Sequence, residues 1–255
     1  SSSFISLSQT TEIYNVPGSI TWICPPNVTS VTIQCWGAGG GGGNSAGTIS
    51  RGGHGGGGGA FSESTISVNP GQTYFLFVGS GGLASPTDGQ NTWFNSSNMA
   101  PTSNSGVLAI GGKKGPNNTG ITIANGGEAT LGFGLIKFSG GNGFAGSTSG
   151  GNGGGSSAGI NSDGTNANFI GGAIAPTGGG NGGNGSTSGN GQAGSNPGGG
   201  GGGGNDSSFN FGGNGGNGQI ILTYTLNCFG IPIIPNVSVT PPSGCGTTLL
   251  YASGV

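Results

Sequence analysis

The sequence predicts a mainly β fold with almost no α-helix, in which short strands lead into extended segments of glycine. Three observations support this prediction. Glycine accounts for 67 of the 255 residues and is concentrated in runs. Apolar, β-branched and aromatic residues cluster in four short stretches, where they alternate with polar residues as half-buried strands require. No window shows the 3.6-residue apolar period of a helix.

The first two apolar stretches each predict two strands separated by a turn. Residues 20–36 contain a Pro-Pro-Asn turn, and residues 31–35 after it alternate between apolar and polar side chains. Residues 60–78 contain an Asn-Pro-Gly-Gln turn at positions 69–72. The second strand of each stretch runs directly into glycine, so we expect the strands to feed the glycine segments.

The other two stretches are residues 107–110 and the strand predicted at residues 218–226, which is entered from glycine. Between residues 111 and 218 the chain is mostly Gly, Asn, Ser and Thr, and its isolated apolar residues are too sparse for a conventional core. Backbone hydrogen bonding must therefore hold this region together, if it is ordered.

The glycine runs predict a bundle of polyglycine II helices, which are extended helices with three residues per turn. The main runs are residues 37–43, 52–59, 178–185 and 198–204. Without Cβ atoms, neighbouring backbones can approach closely and bond through their N–H and C=O groups. Seven residues at about 3.1 Å each give a helix of roughly 22 Å. Collagen is excluded, because glycine does not recur at every third position over a long stretch.

Two pairs of asparagines have the spacing of one turn of such a helix. Asn181 and Asn184 are three residues apart, as are Asn214 and Asn217, so each pair would project from one edge of its helix. Their amides could cap a face of the bundle or contact a ligand. The alternative is that these Asn-Gly steps simply make turns.

The composition excludes several classes of function. Charged residues make up 4% of the chain and the net charge is -2, so the chain offers nothing that would attract nucleic acid. No stretch approaches the roughly 18 consecutive apolar residues needed to span a bilayer. The first residues lack the basic and apolar regions of a signal peptide, so for an exported protein we expect the signal to have been removed already.

The four cysteines allow three full pairings. We consider two disulfides, Cys228 with Cys245 and Cys24 with Cys35, and the alternative that some of these residues are buried thiols. No Cys-x-x-Cys spacing is present, and His54 is the only histidine, so we expect no metal site.

Catalytic constellations are also missing from the sequence. General acid-base catalysis needs a positioned partner, whereas the six carboxylates are scattered and none is near His54 in sequence. We expect His54 to be an exposed interruption of a glycine helix. The Gly112-Lys113 step lacks the first glycine and the Ser or Thr of a phosphate loop. The sequence therefore predicts a protein that is not an enzyme and has no cofactor.

Aromatic residues give the clearest indication of a binding surface. Trp93 and Phe94 follow a predicted turn, and aromatic faces can stack on sugars or on side chains of a partner. The alternative is that both residues complete the β core. Phe209 and Phe211, two residues apart in Asn-rich sequence, allow the same two interpretations.

The ordered series of motifs resembles the glycine-rich domain of bacterial and phage proteins. The resemblance covers residues 13–226 and rests on these segments: Val16-Pro17-Gly18, residues 22–43, 55–61, 66–74, 78–82 and 215–224. It implies a jelly-roll-like β-sandwich joined to a polyglycine II bundle. Relatives of this kind look like secreted or surface adhesins of Bacteroidetes, or parts of phage tail fibres.

The resemblance also divides the chain. Residues 1–226 would form the glycine-rich domain, and residues 227–255 a linker and the start of an Ig-like repeat similar to those of long Bacteroidetes adhesins. We therefore expect an N-terminal piece of a longer extracellular protein, exported by the type IX system.

These observations lead to three hypotheses about function. The first is a cell-surface adhesion or recognition module, whose rigid glycine bundle displays loops to a receptor, a polysaccharide or another protein subunit. The second is a structural subunit or spacer of an extracellular filament or phage tail fibre, which could include self-association. The third, ice binding by a flat glycine bundle, is disfavoured because a strict three-residue repeat is missing.

Overall fold

The computed structural model describes residues 5–45, 51–117, 122–146 and 150–229, with side chains described from residue 8 to residue 226. Within these ranges nine strands form two antiparallel sheets. The helical content of the described ranges is a single 3-10 turn at Ala129–Leu131. The predicted fold class, mainly β with two stacked sheets and almost no helix, is confirmed.

One sheet has five strands in the order β1-β9-β3-β4-β8, and the other has four in the order β2-β5-β6-β7. The strands are β1 (Ile5–Tyr14), β2 (Gly18–Ile23), β3 (Ser30–Trp36), β4 (Phe61–Ser67), β5 (Thr73–Val78), β6 (Thr92–Asn95), β7 (Val107–Ala109), β8 (Ile136–Phe138) and β9 (Gln219–Phe229).

The hydrophobic core lies between the two sheets. Because successive side chains of a strand point to opposite faces, the apolar member of each alternating pair turns inwards. Ile33 and Leu222 face the core from the five-stranded sheet, and Leu76 and Phe94 face it from the other, all four fully buried. The rings of Trp22, Tyr74, Phe94 and Tyr224 contact one another in this layer.

The predicted strands are present, and the structure adds three that the sequence analysis missed. Both predicted turns connect strands of different sheets: β2 is followed by β3 in the opposite sheet, and β4 by β5. The missed strands are β1, β6 and β8. They are short or weakly alternating, so only pairing with a neighbouring strand identifies them.

A hydrogen-bonded cluster around Glu12 ties the edge strands β1 and β2 together. The Glu12 carboxylate accepts hydrogen bonds from the side chains of Tyr14 and Tyr224 and from Trp22 Nε1 at 3.2 Å. Burial and the adjacent carboxylate raise the pKa of both tyrosines, so they remain protonated donors. The cluster therefore links the two sheets at one side of the sandwich.

The glycine bundle extends from one end of the sandwich. Strands β3, β4 and β9 meet the bundle at this end, since Trp36 is paired with both Phe61 and Gln219. Here the chain changes from β-strand to extended glycine helix. Trp36 anchors the junction: its Nε1 donates to the carbonyl oxygen of Ala158 at 3.1 Å, and its ring packs 4.8 Å from the ring of Phe61.

The backbone hydrogen bonds of the bundle have a period of three residues. In residues 37–43, the N–H groups at positions 37, 40 and 43 all donate to residues 54–60, at 2.8 to 2.9 Å. The N–H groups at positions 38 and 41 donate to residues 87–90, and those at 39 and 42 to residues 213–216. This helix thus bonds to three neighbours through its N–H groups alone, as expected for an enclosed helix with three residues per turn.

The helices pack hexagonally. Residues 53–60 are hydrogen-bonded to six surrounding segments, which lie at residues 37–43, 110–116, 124–127, 141–144, 152–158 and 198–204. Residues 37–43 and 198–204 each have six such neighbours as well. Together with residues 151–158, these helices form the centre of the bundle, and all their residues are buried.

This packing explains the uninterrupted runs of glycine. A methyl group added to Gly201 would lie 2.0 Å from the carbonyl oxygen of Gly213, and one added to Gly58 would lie 1.9 Å from that of Ser156. Three of the four central helices therefore have glycine at nearly every position, and the fourth, residues 151–158, has glycine at four of its eight positions. Helices at the surface have an open side, so they carry a larger residue at every third position.

The predicted linker and Ig-like segment lie almost entirely beyond the described residues. Strand β9 extends to Phe229, and the rest of the predicted linker and Ig-like segment, residues 230–255, lies outside the described residues. The described ranges contain no helix with the length and apolar character needed to cross a bilayer.

Candidate functional site

Asn181 and Asn184 lie on one edge of an outer helix, as their spacing predicts. The Oδ1 atom of Asn181 accepts a hydrogen bond from the Ala175 N–H at 2.7 Å. The Oδ1 atom of Asn184 accepts one from the Gly172 N–H at 2.8 Å. The two donors are also three residues apart, so the amides join two adjacent helices turn by turn.

Asn214 and Asn217 form an equivalent ladder. Their Oδ1 atoms accept hydrogen bonds from the N–H groups of Ala84 at 2.6 Å and Gly81 at 3.0 Å. Both asparagine pairs therefore cap outer faces of the bundle rather than making simple turns. Their amide oxygens are committed to the backbone of the protein itself.

Two further ladders were missed by the sequence analysis. Asp88 and Asn91 accept hydrogen bonds from the N–H groups of residues 114 and 111, each at 2.9 Å. Asp163 and Asn166 accept from those of residues 139 and 142, each at 2.7 Å. All four ladders share the pattern Asp or Asn, Gly, any residue, Asn, which is the signal that could have found them.

The ladders complete the hydrogen bonding of the surface helices. An N–H group that faces outwards has no neighbouring carbonyl, and leaving it without a partner when buried is costly. The side-chain oxygen of Asn or Asp takes the place of the missing carbonyl. This is a structural function, so the ladders are not candidates for ligand contact through these oxygens.

Trp93 and Phe94 have different surroundings, because they point to opposite faces of β6. Phe94 is fully buried in the core, so the prediction of a ligand contact there is wrong and the alternative, completion of the β core, is correct. Trp93 is half-buried on the outer face and stacks on Phe77, with ring centroids 6.0 Å apart.

The proposed disulfide between Cys24 and Cys35 is not formed. Both residues are buried free thiols, and they belong to segments of opposite sheets. The Cys24 thiol lies 3.3 Å from the carbonyl oxygen of Val28, and burial raises the pKa of both thiols. Cys245, the proposed partner of Cys228, lies outside the described residues.

Exposed aromatic residues collect at the distal tip, which we define as the end of the bundle remote from the sandwich. Phe209 and Phe211 are 61% and 45% exposed and pack edge to face, with centroids 5.4 Å apart. The carbonyl of Asn210, between them, accepts a hydrogen bond from the Ser45 N–H. Ser45 follows residues 37–43 at the end of that helix remote from the sandwich, so this pair lies at the tip. A second pair, Phe144 and Phe169, has centroids 6.1 Å apart, and the Phe144 carbonyl accepts from the N–H of Gly55, next to His54 at this end of the bundle.

A shallow groove of about 230 Å³ lies beside Phe144. Asn142 and Asn166 stand at this groove, and their Oδ1 atoms accept from the N–H groups of Gly126 at 2.9 Å and of Asn142 at 2.7 Å. The complete lining is Ile123, Asn142, Gly143, Phe144, Ala145, Asn166 and Ala167.

Three polar side chains are buried at the distal tip, and one atom of each has no hydrogen-bond partner within the part of the chain that the structure describes. These atoms are Nε2 of His54, Oδ1 of Asn152 and Oδ1 of Asp206. Their residues are 0%, 0% and 1% exposed. Unpartnered buried polar atoms are rare in folded proteins and carry a free-energy cost of about 1–3 kcal/mol each.

The prediction that His54 is exposed is wrong. His54 is fully buried in one of the four central helices. Its ring lies beside the segment that contains Thr122, and Nδ1 is 3.2 Å from the Thr122 carbonyl oxygen. Burial lowers the pKa of His54, outweighing the opposite effect of the Thr122 carbonyl. The imidazole is therefore neutral at pH 7, and within the described residues no cluster of His, Cys, Asp or Glu could hold a metal ion.

Comparison with known proteins confirms the coarser part of the resemblance, a glycine-rich domain. The model of a family described as a glycine-rich domain matches residues 15–225. A search of curated proteins found no match.

Proposed function

The chain belongs to the glycine-rich domain family, and on this premise we propose that it is a non-enzymatic recognition module of a longer, secreted bacterial surface protein. In this proposal the sandwich anchors the glycine bundle, and the distal tip contacts a receptor or polysaccharide outside the cell. The proposal rests on one observation: two pairs of partly exposed aromatic rings lie at the end of the bundle remote from the sandwich.

The architecture suits such a role. The four central helices are enclosed by neighbours that are hydrogen-bonded at every turn, so the bundle can hold the distal tip at a fixed distance and orientation. Phe209 and Phe211 leave 61% and 45% of their surface exposed. Exposed aromatic rings are frequent anchors of binding surfaces, because they bury a large area with few rotatable bonds.

A role as a filament subunit that grows by lateral addition of helices is less well supported. Outer helices of the bundle carry the Asn and Asp ladders, whose side chains occupy positions where another helix would have to bond. The ladders thus complete these edges instead of leaving them open for a further chain.

The test compares variants of the purified chain with matched controls. The variant Phe209→Ser/Phe211→Ser removes one aromatic pair at the distal tip, and Trp93→Ser removes an aromatic ring from the outer face of the sandwich. Labelled protein is incubated with beads coated with mucin, cellulose or bacterial exopolysaccharide. We expect the tip variant to lose most of the binding shown by the unmodified chain and the Trp93 variant to keep it.

Circular dichroism and thermal unfolding establish that both variants are folded. Equal binding by the unmodified chain and by the folded tip variant would overturn the proposal that this end makes the contact. A chain that binds none of the coated surfaces and instead polymerises as its concentration rises would support the filament hypothesis.

A further inference from the structure

The groove beside Phe144 combines apolar walls with amide groups. Ile123, Phe144 and Ala167 supply apolar surface, and Asn142 and Asn166 supply the amides. Both Oδ1 atoms already accept hydrogen bonds from backbone N–H groups. The Nδ2 groups of the two amides are therefore the donors that a ligand can use. The groove is therefore a surface that donates hydrogen bonds next to an aromatic ring.

A buried acceptor lies close to the Phe144 ring. A methyl group placed on Gly146 would lie 2.7 Å from Phe144 Cε1 and 3.3 Å from Asn152 Oδ1, so both atoms border one small volume. Asn152 is fully buried and this oxygen has no hydrogen-bond partner among the described residues. Since Asn152 does not belong to the lining of the groove, the polar side chains that the groove presents to a ligand are the Asn142 and Asn166 amides.

Charge and size restrict the ligand. All seven lining residues are uncharged, so a phosphate, a carboxylate or a cation would lose its hydration with no compensating ion pair. At about 230 Å³ the groove is smaller than typical sites for drug-sized molecules. A purely apolar ligand of this size would leave the asparagine amides without partners.

We infer that this groove binds a neutral sugar unit of a glycan. A pyranose ring has an apolar C–H face that can lie against Phe144, and hydroxyl groups that can accept hydrogen bonds from the Asn142 and Asn166 amides. The inference rests on the proposed recognition function and gives it a ligand class: neutral hexose or N-acetylhexosamine units of a surface polysaccharide.

The test is a titration of the ¹⁵N-labelled chain with neutral oligosaccharides of glucose, galactose, mannose and N-acetylglucosamine. We expect at least one of them to shift the side-chain amide signals of Asn142 and Asn166. Phe144→Ala removes the wall of the groove, and Gly146→Ala displaces that wall, because its methyl group would lie 2.7 Å from Phe144 Cε1. Each should weaken binding by about tenfold or more. Trp93→Ser, which removes an aromatic ring from the outer face of the sandwich, should leave sugar binding unchanged.

Three results would overturn the inference. In the first, none of the sugars shifts these signals although the chain still binds the coated beads, so that the recognition function stands and the sugar site does not. In the second, a sugar binds but the folded Phe144 and Gly146 variants bind it equally well. In the third, oligosaccharides that carry sialic acid bind more tightly than neutral ones of the same length, so the ligand class is wrong.

Discussion

Each residue of the central helices is limited by the distance to the next backbone. A glycine Cα lies so close to the neighbouring carbonyl oxygen that a methyl group would overlap it, as at Gly201 and Gly58. The few larger residues in these helices lie where the neighbouring segments leave space. His54, near the distal tip, and Ala158, beside Trp36, are examples.

Replacing a central glycine should destabilise the protein. We expect Gly201→Ala to lower the free energy of unfolding by about 1–3 kcal/mol or more, because the methyl group meets the Gly213 carbonyl oxygen at 2.0 Å and pushes two helices apart. The matched control is Gly189→Ala, where the nearest atom, Ser186 Oγ, is 4.0 Å away. It should be neutral or stabilising by up to about 1 kcal/mol. Thermal unfolding followed by circular dichroism measures both changes.

The stability of the protein should decrease at mildly acidic pH because of His54. Burial lowers the pKa of His54 in the folded protein, whereas in the unfolded chain it has its ordinary value near 6.5. Below that pH the unfolded state binds a proton that the folded state does not. The free energy of unfolding should therefore fall by up to about 1.4 kcal/mol per pH unit as the pH drops from 6.5 to 5.

Because His54 is the only histidine in the chain, His54→Gln provides the control. Its melting temperature should change much less between pH 6.5 and 5 than that of the unmodified protein. If both proteins lose stability equally over this range, another group is responsible and the burial of His54 has no such effect.

Each element of the bundle is a helix whose sequence reflects the number of its neighbours. The three helices with six hydrogen-bonded neighbours are nearly pure glycine, and the outer helices that form the ladders carry Asn or Asp residues spaced three apart. The sequence analysis placed Asn181 and Asn184 on one edge from their spacing. It could not show that their oxygens bond to residues 172 and 175, because that depends on which segment lies alongside.

Removing one ladder should loosen only the helices that it joins. We expect Asn181→Ala/Asn184→Ala to destabilise the protein by about 1–3 kcal/mol, because the N–H groups of Ala175 and Gly172 lose their acceptors. Amide hydrogen exchange at these two residues should accelerate. Asn161→Ala, at an exposed asparagine outside the ladders, is the control and should change neither stability nor exchange. Unchanged exchange at residues 172 and 175 in the double variant would contradict a role of the ladder.

The whole molecule combines two kinds of core that meet at one end of the sandwich. The sandwich is held by apolar side chains buried between sheets, and the bundle by a lateral network of backbone hydrogen bonds. Trp36 belongs to both parts, since it ends β3 and donates to the Ala158 carbonyl of a central helix. This shared contact fixes the direction in which the bundle extends from the sandwich.

Amide hydrogen exchange over residues 111–218 tests the bundle as a unit. Exchange requires a hydrogen bond to open, so the central residues 151–158 and 198–204 should be protected to nearly the same degree as the strands of the sandwich. Mass spectrometry of peptic peptides resolves these segments. Rapid exchange throughout residues 111–218 would be evidence for a disordered spacer and against the bundle.

The sequence by itself determined the strands with two-residue alternation, the extended glycine helices and the one-turn spacing of the asparagine pairs, because each depends on a residue and its near neighbours in the chain. Only the tertiary structure decided which strands share a sheet, which helices are central, that His54 and Phe94 are buried, and that Cys24 and Cys35 remain free thiols. The physical reason is the nature of the contacts. Neighbouring helices recognise each other through N–H and C=O groups, and these groups are nearly the same in every residue, so the sequence does not encode the choice of partner directly.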